Sequence, residues 1–175
     1  MVNHYIVIAE EGDSIGEKKL ISQHLKGHWE GKQYITEDGI RWDIIITGVG
    51  AVNIIRSLQG LDRQSVLLNI GYVGSANYEI GSVKQVSEVR LNHPNCSYPE
   101  PTLPLATLPK EYIDVPAAVC YSGADFVLAS NYTDCVFDME LAYIAALGFA
   151  TTYAVKIVSD NLSLHDYHKQ AAGVQ

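Results

Sequence analysis

Val66-Leu67-Leu68-Asn69-Ile70, followed at once by Gly71-Tyr72-Val73-Gly74, is the stretch on which the fold turns. A short run, apolar but for one asparagine and closed by a glycine-rich turn signal, predicts a strand buried on both faces. The same signature recurs outward from it in both directions. Upstream, Tyr5-Ile6-Val7-Ile8-Ala9 is a second buried run, followed by the acidic stretch Glu10-Glu11-Gly12-Asp13 and a predicted helix over 14–25. Residues 33–36 and 41–47 read as strands of a hairpin around Glu37-Asp38-Gly39. Gly48-Val49-Gly50 then leads into a predicted helix over 51–61 with apolar Val52, Ile55 and Leu58. Downstream, residues 83–89, 117–121 and 135–137 read as strands. Residues 138–147 read as a helix closed by Gly148, and 151–158 as a strand ending at Ser159-Asp160. The tail, 163–175, is at most a short helix.

Strands alternating with helices predict an α/β protein: a single-domain, three-layer α/β/α arrangement with a mixed, mostly parallel central sheet. A length of 175 residues suits one domain spanning 1–175. The exception to the alternation is residues 92–116, which hold all 6 prolines of the chain. Proline interrupts helices and central strands, so this segment is expected to be a loop excursion or a partner-facing surface.

Composition excludes several classes of function. The formal net charge is -8, the reverse of the Lys/Arg surplus that neutralising nucleic-acid phosphates requires. Apolar residues make up 47% and charged residues 18%, a balance that argues against disorder. No apolar run is long enough to span a bilayer, and Met1-Val2-Asn3-His4 does not begin a signal peptide, so a cytoplasmic protein with no membrane partner is expected. Cys96, Cys120 and Cys135 are widely spaced and expected to be reduced thiols. His24 with His28, and His165 with His168, lack a metal-binding context, so no metal and no cofactor is expected.

In α/β sheets ligands bind beyond the carboxyl ends of the strands. That rule converges on Glu10-Glu11, Gly48-Val49-Gly50, Gly71 to Gly74, and Ser159-Asp160. The glycine pair Gly48/Gly50 is too short for a dinucleotide fingerprint, because Asn53 stands where the third glycine belongs. It serves either as a tight turn or as a close backbone approach to a ligand. No Walker lysine follows either glycine loop. Asp160, at the end of a buried strand, is either an N-cap for the tail or a proton donor with a raised pKa. Glu140, in apolar surroundings, is either a solvated helix start or the acceptor of a ligand's paired hydroxyls. Met139 and Phe126 are core residues by default, although Phe126 also suits stacking on a base.

Taken together, these segments resemble the nucleoside phosphorylase/nucleosidase superfamily, most closely its methylthioadenosine/S-adenosylhomocysteine nucleosidase branch. Thr47-Gly48-Val49-Gly50-Ala51-Val52-Asn53 is similar to the family's SGIGKVNA turn, and Asn69-Ile70-Gly71-Tyr72-Val73-Gly74-Ser75 to its NTGSAGG loop. Ile80-Gly81-Ser82-Val83 through Ser87-Glu88-Val89-Arg90 resembles GDIVVSDEARY, and Ser122-Gly123-Ala124-Asp125-Phe126 resembles SGDAF. Asp138-Met139-Glu140-Leu141-Ala142 resembles VEMEAAA, and Lys156-Ile157-Val158-Ser159-Asp160 resembles RAISD.

The resemblance implies cleavage of a purine N-glycosidic bond, with phosphorolysis or non-catalytic purine-nucleoside binding as alternatives on the same fold. It implies Asp160 at N7 of the base, Phe126 stacked on the purine, backbone near Val127 reading its edge, Glu140 on the ribose hydroxyls and Met139 against the sugar. Gly50, Tyr72, Gly74 and Ser159 would complete the substrate site. Asn69 replaces the phosphate-gripping Arg of hexameric phosphorylases, which favours water as the nucleophile. Tyr72 replaces a water-holding Ser, and Lys156 replaces the Arg of RAISD, a change that is not neutral at a bidentate site. An ungapped alignment puts Gly12 at the N-terminal catalytic acid. Glu11 is taken for that role, with Glu10 and Asp13 as neighbours in reach. The resemblance also implies a homodimer or higher homo-oligomer, with 92–116 as the expected contact, and a chain trimmed at its periphery relative to the family.

Overall fold

The computed structural model describes residues 1–11, 16–92 and 101–172. In chain order the elements are β1 (His4–Ile8), α1 (Lys18–His24), β2 (Gly27–Glu30), β3 (Gln33–Thr36), β4 (Arg41–Ile46), α2 (Ala51–Leu58) and β5 (Val66–Gly74). There follow β6 (Val83–Leu91), β7 (Leu103–Pro104), β8 (Ala117–Ser122), β9 (Cys135–Asp138), α3 (Leu141–Ala146), β10 (Thr151–Asp160) and α4 (Leu164–Ala171). Gly12, Asp13, Cys96, Pro94, Pro99 and the start of the predicted first helix lie outside the described residues.

The protein is α/β with a mixed sheet, but the sheet is not the open, mostly parallel one expected. Parallel ladders join β1 to β4 and β5, β10 to β5, and β8 to β6 and β9. Antiparallel ladders join β10 to β6, β5 to β9, β3 to β2 and β4, and β7 to β6. Because β10 pairs with both β5 and β6, the path β10-β6-β8-β9-β5 closes on itself as a small mixed barrel. From its β5 side, β1, β4, β3 and β2 run out as an open wing. The cause is strand length. β5 and β10 have 9 and 10 residues, so their ladder continues past the ends of β1, and sheet twist carries the overhang round onto β6 and β9.

Strand alternation sorts the core. Ile6 and Ile8 of β1, Leu68 and Ile70 of β5, and Val155 and Ile157 of β10 face α1, packing on Leu20, Ile21, Tyr34 and Trp42. Val7 and Leu67 face the other way, onto Ile54 and Leu58 of α2 and Ile144 of α3. Further along, Val73, Ala154 and Val158 join Val86, Val89, Cys120 and Val136 against Leu141 and Ala142. Helices therefore cover both faces around β1 and β5, and there the layered expectation describes the chain. The barrel half is strand-dominated.

Three differences from the sequence reading have local causes. Gly71 to Gly74, expected as a turn, is strand, because β10 offers a full parallel partner: Lys156 lies opposite Gly71 and Asp160 opposite Gly74. Gly27–Glu30 was expected to end a helix but is the edge strand β2, with little burial to mark it in sequence. Leu103–Pro104 pairs with β6 inside the proline-rich segment, the sort of edge position proline tolerates. Cys120 and Cys135 are free and buried. Among the described residues, no helix is long and apolar enough to cross a membrane.

The β2–β3 contact is unusually close. A Cβ on Gly27 would lie 2.2 Å from the Ile35 carbonyl oxygen, a backbone atom that cannot swing aside. Gly27→Ala is expected to destabilise the chain by about 1–3 kcal/mol, read as a lower urea midpoint at unchanged slope.

Candidate active site

Three strand ends and two loops enclose one cavity of about 270 Å³. Its wall includes Ala9 and Glu10 after β1, Asn69 to Gly74 of β5, and Lys156, Ser159 and Asp160 of β10. Asp125, Phe126 and Val127 after β8, residues 137–140 leading into α3, and Tyr167 of α4 complete it. The strand-end rule thus located the crevice.

Asp160 is buried at the end of β10. Its carboxylate accepts from Ser159 Oγ at 2.7 Å and from the Leu162 amide at 2.8 Å. Burial raises its pKa above the ordinary carboxyl value, against the opposing effect of those hydrogen bonds. Gly74 is what lets it sit there: a Cβ on Gly74 would fall 2.8 Å from Asp160 Oδ1. Ser163, and not Asp160, caps α4, accepting from the Asp166 amide.

Glu140 is also buried, just before the first turn of α3. Burial first, and then the neighbouring Asp138 charge, push its pKa up to about 8. The solvated helix start that sequence position alone allows is therefore not what the chain builds. Its Oε2 accepts from the Met139 amide at 2.9 Å.

Of the N-terminal acids, Glu10 and Glu17 line the cavity and Glu11 does not. Glu11 is exposed and accepts from the Lys18 amide at 2.8 Å, outside the cavity. Glu17 immediately precedes α1, is 5% exposed, and accepts from the Ala9 amide at 2.9 Å. Burial raises its pKa to about 7, the Ala9 hydrogen bond and the Lys156 charge opposing. Glu17 lies six positions beyond Glu11, so an ungapped reading of the acidic stretch stops too early. The available signal was an acid directly before the apolar pattern Leu20-Ile21, at the head of the helix.

Lys156 projects from β10 into the same region and is fully buried with its partner: its Nζ lies 3.1 Å from Asp138 Oδ2. Asp138 further accepts from the Leu141 amide at 2.9 Å and from Ser122 Oγ, and Cys120 Sγ lies 3.4 Å from it. Sequence reading passed over Asp138, treating it as the start of a helix. The aromatic wall is Phe126, Tyr72 and Tyr167; Phe126 and Tyr167 ring centroids are 5.6 Å apart, Tyr72 and Tyr167 6.3 Å. Tyr167, also not foreseen, donates from its hydroxyl to Glu10 at 3.3 Å. Burial, reinforced by Glu17, pushes the Tyr72 phenol up to about 12, so it is neutral at any working pH.

Of the residues singled out in sequence, Glu10, Asn69, Tyr72, Gly74, Phe126, Val127, Met139, Glu140, Lys156, Ser159 and Asp160 line the cavity, and Glu11 and Gly50 do not. Gly50 is the N-cap of α2 with φ of 89°, a turn role, and its neighbour Val49 reaches the cavity instead. Among the described residues, no group of three or more His, Cys, Asp or Glu side chains is placed to hold a metal ion.

No family model matches the sequence, and no curated protein matches it. Solved structures do match by shape. The nucleosidase (MTAN) of Chlamydia trachomatis superposes with a TM-score of 0.69 at 15% identity, covering 99% of this chain and 95% of that one. The methylthioadenosine/S-adenosylhomocysteine nucleosidase of Colwellia psychrerythraea, in complex with adenine, gives 0.71 at 18% identity, covering 98% and 88%. The Neisseria meningitidis nucleosidase, in complex with methylthio-immucillin-A, gives 0.67 at 18% identity, covering 99% and 95%. The matches thus run over nearly the whole of both chains. At low sequence identity, the chain has the fold of the methylthioadenosine/S-adenosylhomocysteine nucleosidases.

Proposed function

We propose that the cavity hydrolyses the N-glycosidic bond of a purine nucleoside, with methylthioadenosine and S-adenosylhomocysteine as the first substrates. The observation that carries this reading is the convergence of three buried carboxyls, Asp160, Glu140 and Glu17, and one aromatic ring, Phe126, on one cavity. In it, Phe126 stacks on the base and backbone groups at Val127 face the base edge. Asp160, whose hold on a proton is strengthened by burial, donates to N7 as the bond from C1′ to N9 breaks, so the electron pair left on the base is neutralised. Glu140 takes the ribose hydroxyls and Met139 packs on the sugar. Water attacks C1′ and gives its proton to Glu17, whose pKa of about 7 suits a base working near neutrality.

Charge favours water over phosphate as the nucleophile. Glu17, Glu140 and Asp138 surround the buried Lys156, and Asp138 already neutralises that cation. Among the described residues lining the cavity, a dianion meets carboxyls and one cation, Lys156, which is already paired.

The test is release of free base from methylthioadenosine, S-adenosylhomocysteine, adenosine and inosine, with and without phosphate. Release without phosphate is expected. Release that requires phosphate, or binding with no release, overturns the proposal. Asp160→Asn is expected to lower kcat at least about 100-fold while leaving the circular dichroism spectrum unchanged.

Glu17 also links stability to pH. Its folded pKa, about 7, lies above its ordinary 4.5, so its stabilising effect is fully present below about pH 4.5 and is lost as pH rises through 7. Glu17→Gln removes that loss. The variant is expected to be more stable than the parent by about 2 kcal/mol at pH 8, to match it at pH 4, and to turn over substrate far more slowly. Urea unfolding at the two pH values, beside the base-release assay, measures both halves of this outcome.

A further inference from the structure

Lys156 faces a choice of partners. On one side lies the Asp138 carboxylate, at 3.1 Å. On the other lies Glu17: a Cβ placed on Gly71 would be 3.6 Å from Lys156 Nζ and 3.5 and 3.6 Å from the two Glu17 oxygens. The ammonium and the Glu17 carboxyl therefore flank the same bare patch of β5, which only a residue without a side chain leaves open. Yet the ion pair forms with Asp138.

The geometry around Asp138 explains that preference. Its carboxylate is held by the Leu141 amide at the start of α3 and by the Ser122 hydroxyl from the end of β8. Ser122 is itself fixed, because its Oγ accepts from the Ala142 amide at 2.9 Å. Asp138 is thus anchored from β8, α3 and β10 at once. Among the described residues, Glu17 is held only by backbone amides, at Ala9 and more weakly at Glu10. An anchored, multiply hydrogen-bonded carboxylate is the better permanent counter-ion for a buried ammonium.

We propose that Asp138 is a positioning residue: by holding Lys156 in a closed ion pair, it denies Glu17 a cationic partner and leaves that carboxyl free to gain and lose a proton. Its effect on catalysis rests on the nucleosidase reading, but the clamp itself does not. The charged and titratable groups facing Glu17 are Lys156 from β10, Glu10 after β1, Glu140 at the head of α3, Tyr72 from β5 and Tyr167 from α4. The two tyrosines stay neutral, and the two glutamates oppose its ionisation. Lys156 is the one group able to hold Glu17 permanently ionised. Were it free to do so, Glu17 would be a fixed anion, a poor acceptor for the proton of a water.

The experiment reads Glu17 directly and needs no substrate. Glutamate side-chain carboxyls are labelled with ¹³C and titrated by NMR, with Glu17 assigned by loss of its signal in Glu17→Gln. In Asp138→Asn the released ammonium turns to Glu17, and the Glu17 midpoint is expected to fall by at least about one pH unit. A midpoint that stays put overturns the proposal. If Asp138→Asn does not fold, the double variant Asp138→Asn/Lys156→Met removes the pair as a neutral unit. There the midpoint is expected to remain within about half a unit of the parent, whereas a rise of a full unit would show that Lys156 serves Glu17 and would overturn the clamp. Where the parent turns over nucleoside, the acid limb of the kcat/KM profile is expected to move down with the Glu17 midpoint in Asp138→Asn. Absence of turnover in the parent counts against the nucleosidase reading alone, because the NMR titration still decides the clamp.

Discussion

The parallel ladder between β5 and β10 is the constraint on which the rest of the molecule depends. It runs from Val66 opposite Thr151 to Gly74 opposite Asp160. Its first half, flanked by β1, is ordinary buried sheet with apolar side chains on both faces. Its second half outruns β1, and the unpaired edge of each strand finds another neighbour: β10 takes β6, and β5 takes β9 at Gly74. A single long pairing thus builds the core, closes the barrel and ends at the cavity. The register matters chemically as well. It sets Lys156 beside Gly71 and Asp160 beside Gly74, so these two charged side chains meet strand positions with no side chain to compete for space.

That arrangement concentrates charge where the fold can least solvate it. Glu17, Glu140, Asp138, Asp160 and Lys156 are all nearly inaccessible. One pair, Asp138 and Lys156, is satisfied internally; the other carboxyls hold protons at a pH where free carboxylic acids do not. Stability alone would replace them with apolar or amide groups. The gathering of Glu17, Glu140 and Asp160 in one crevice, each with its pKa raised by burial, is the feature that supports the proposed function.

The parts of this molecule that were legible in sequence share a property: they are set by residues near one another in the chain. The buried runs at Tyr5 to Ala9, Val66 to Ile70 and Thr151 to Val158 announce central strands by composition alone. The strand-end rule then points to Tyr72 and Asp160, and both line the cavity. Glu17 was missed because it stands six positions beyond Glu11, and only its burial against the Ala9 amide shows that it turns inward. Asp138 was missed because its importance lies in Lys156, eighteen positions away, and in Ser122, sixteen positions back. Gly71 to Gly74 read as a turn because glycines commonly end strands; their strand character comes from β10, some eighty residues on.

By itself the sequence determined the α/β class, the main central strands, and the acidic, apolar character of the chain. It also singled out Asp160, Phe126 and Glu140 as candidate site residues, and all three line the cavity. Only the tertiary structure decided that the sheet closes through β10, that Glu17 joins Glu10 in the cavity, and that Lys156 pairs with Asp138. Those outcomes depend on strand overhang, on the packing of a loop, and on competition between two carboxyls for one buried ammonium. Each is a balance of distances between groups far apart in the chain, and local spacing carries no information about such distances.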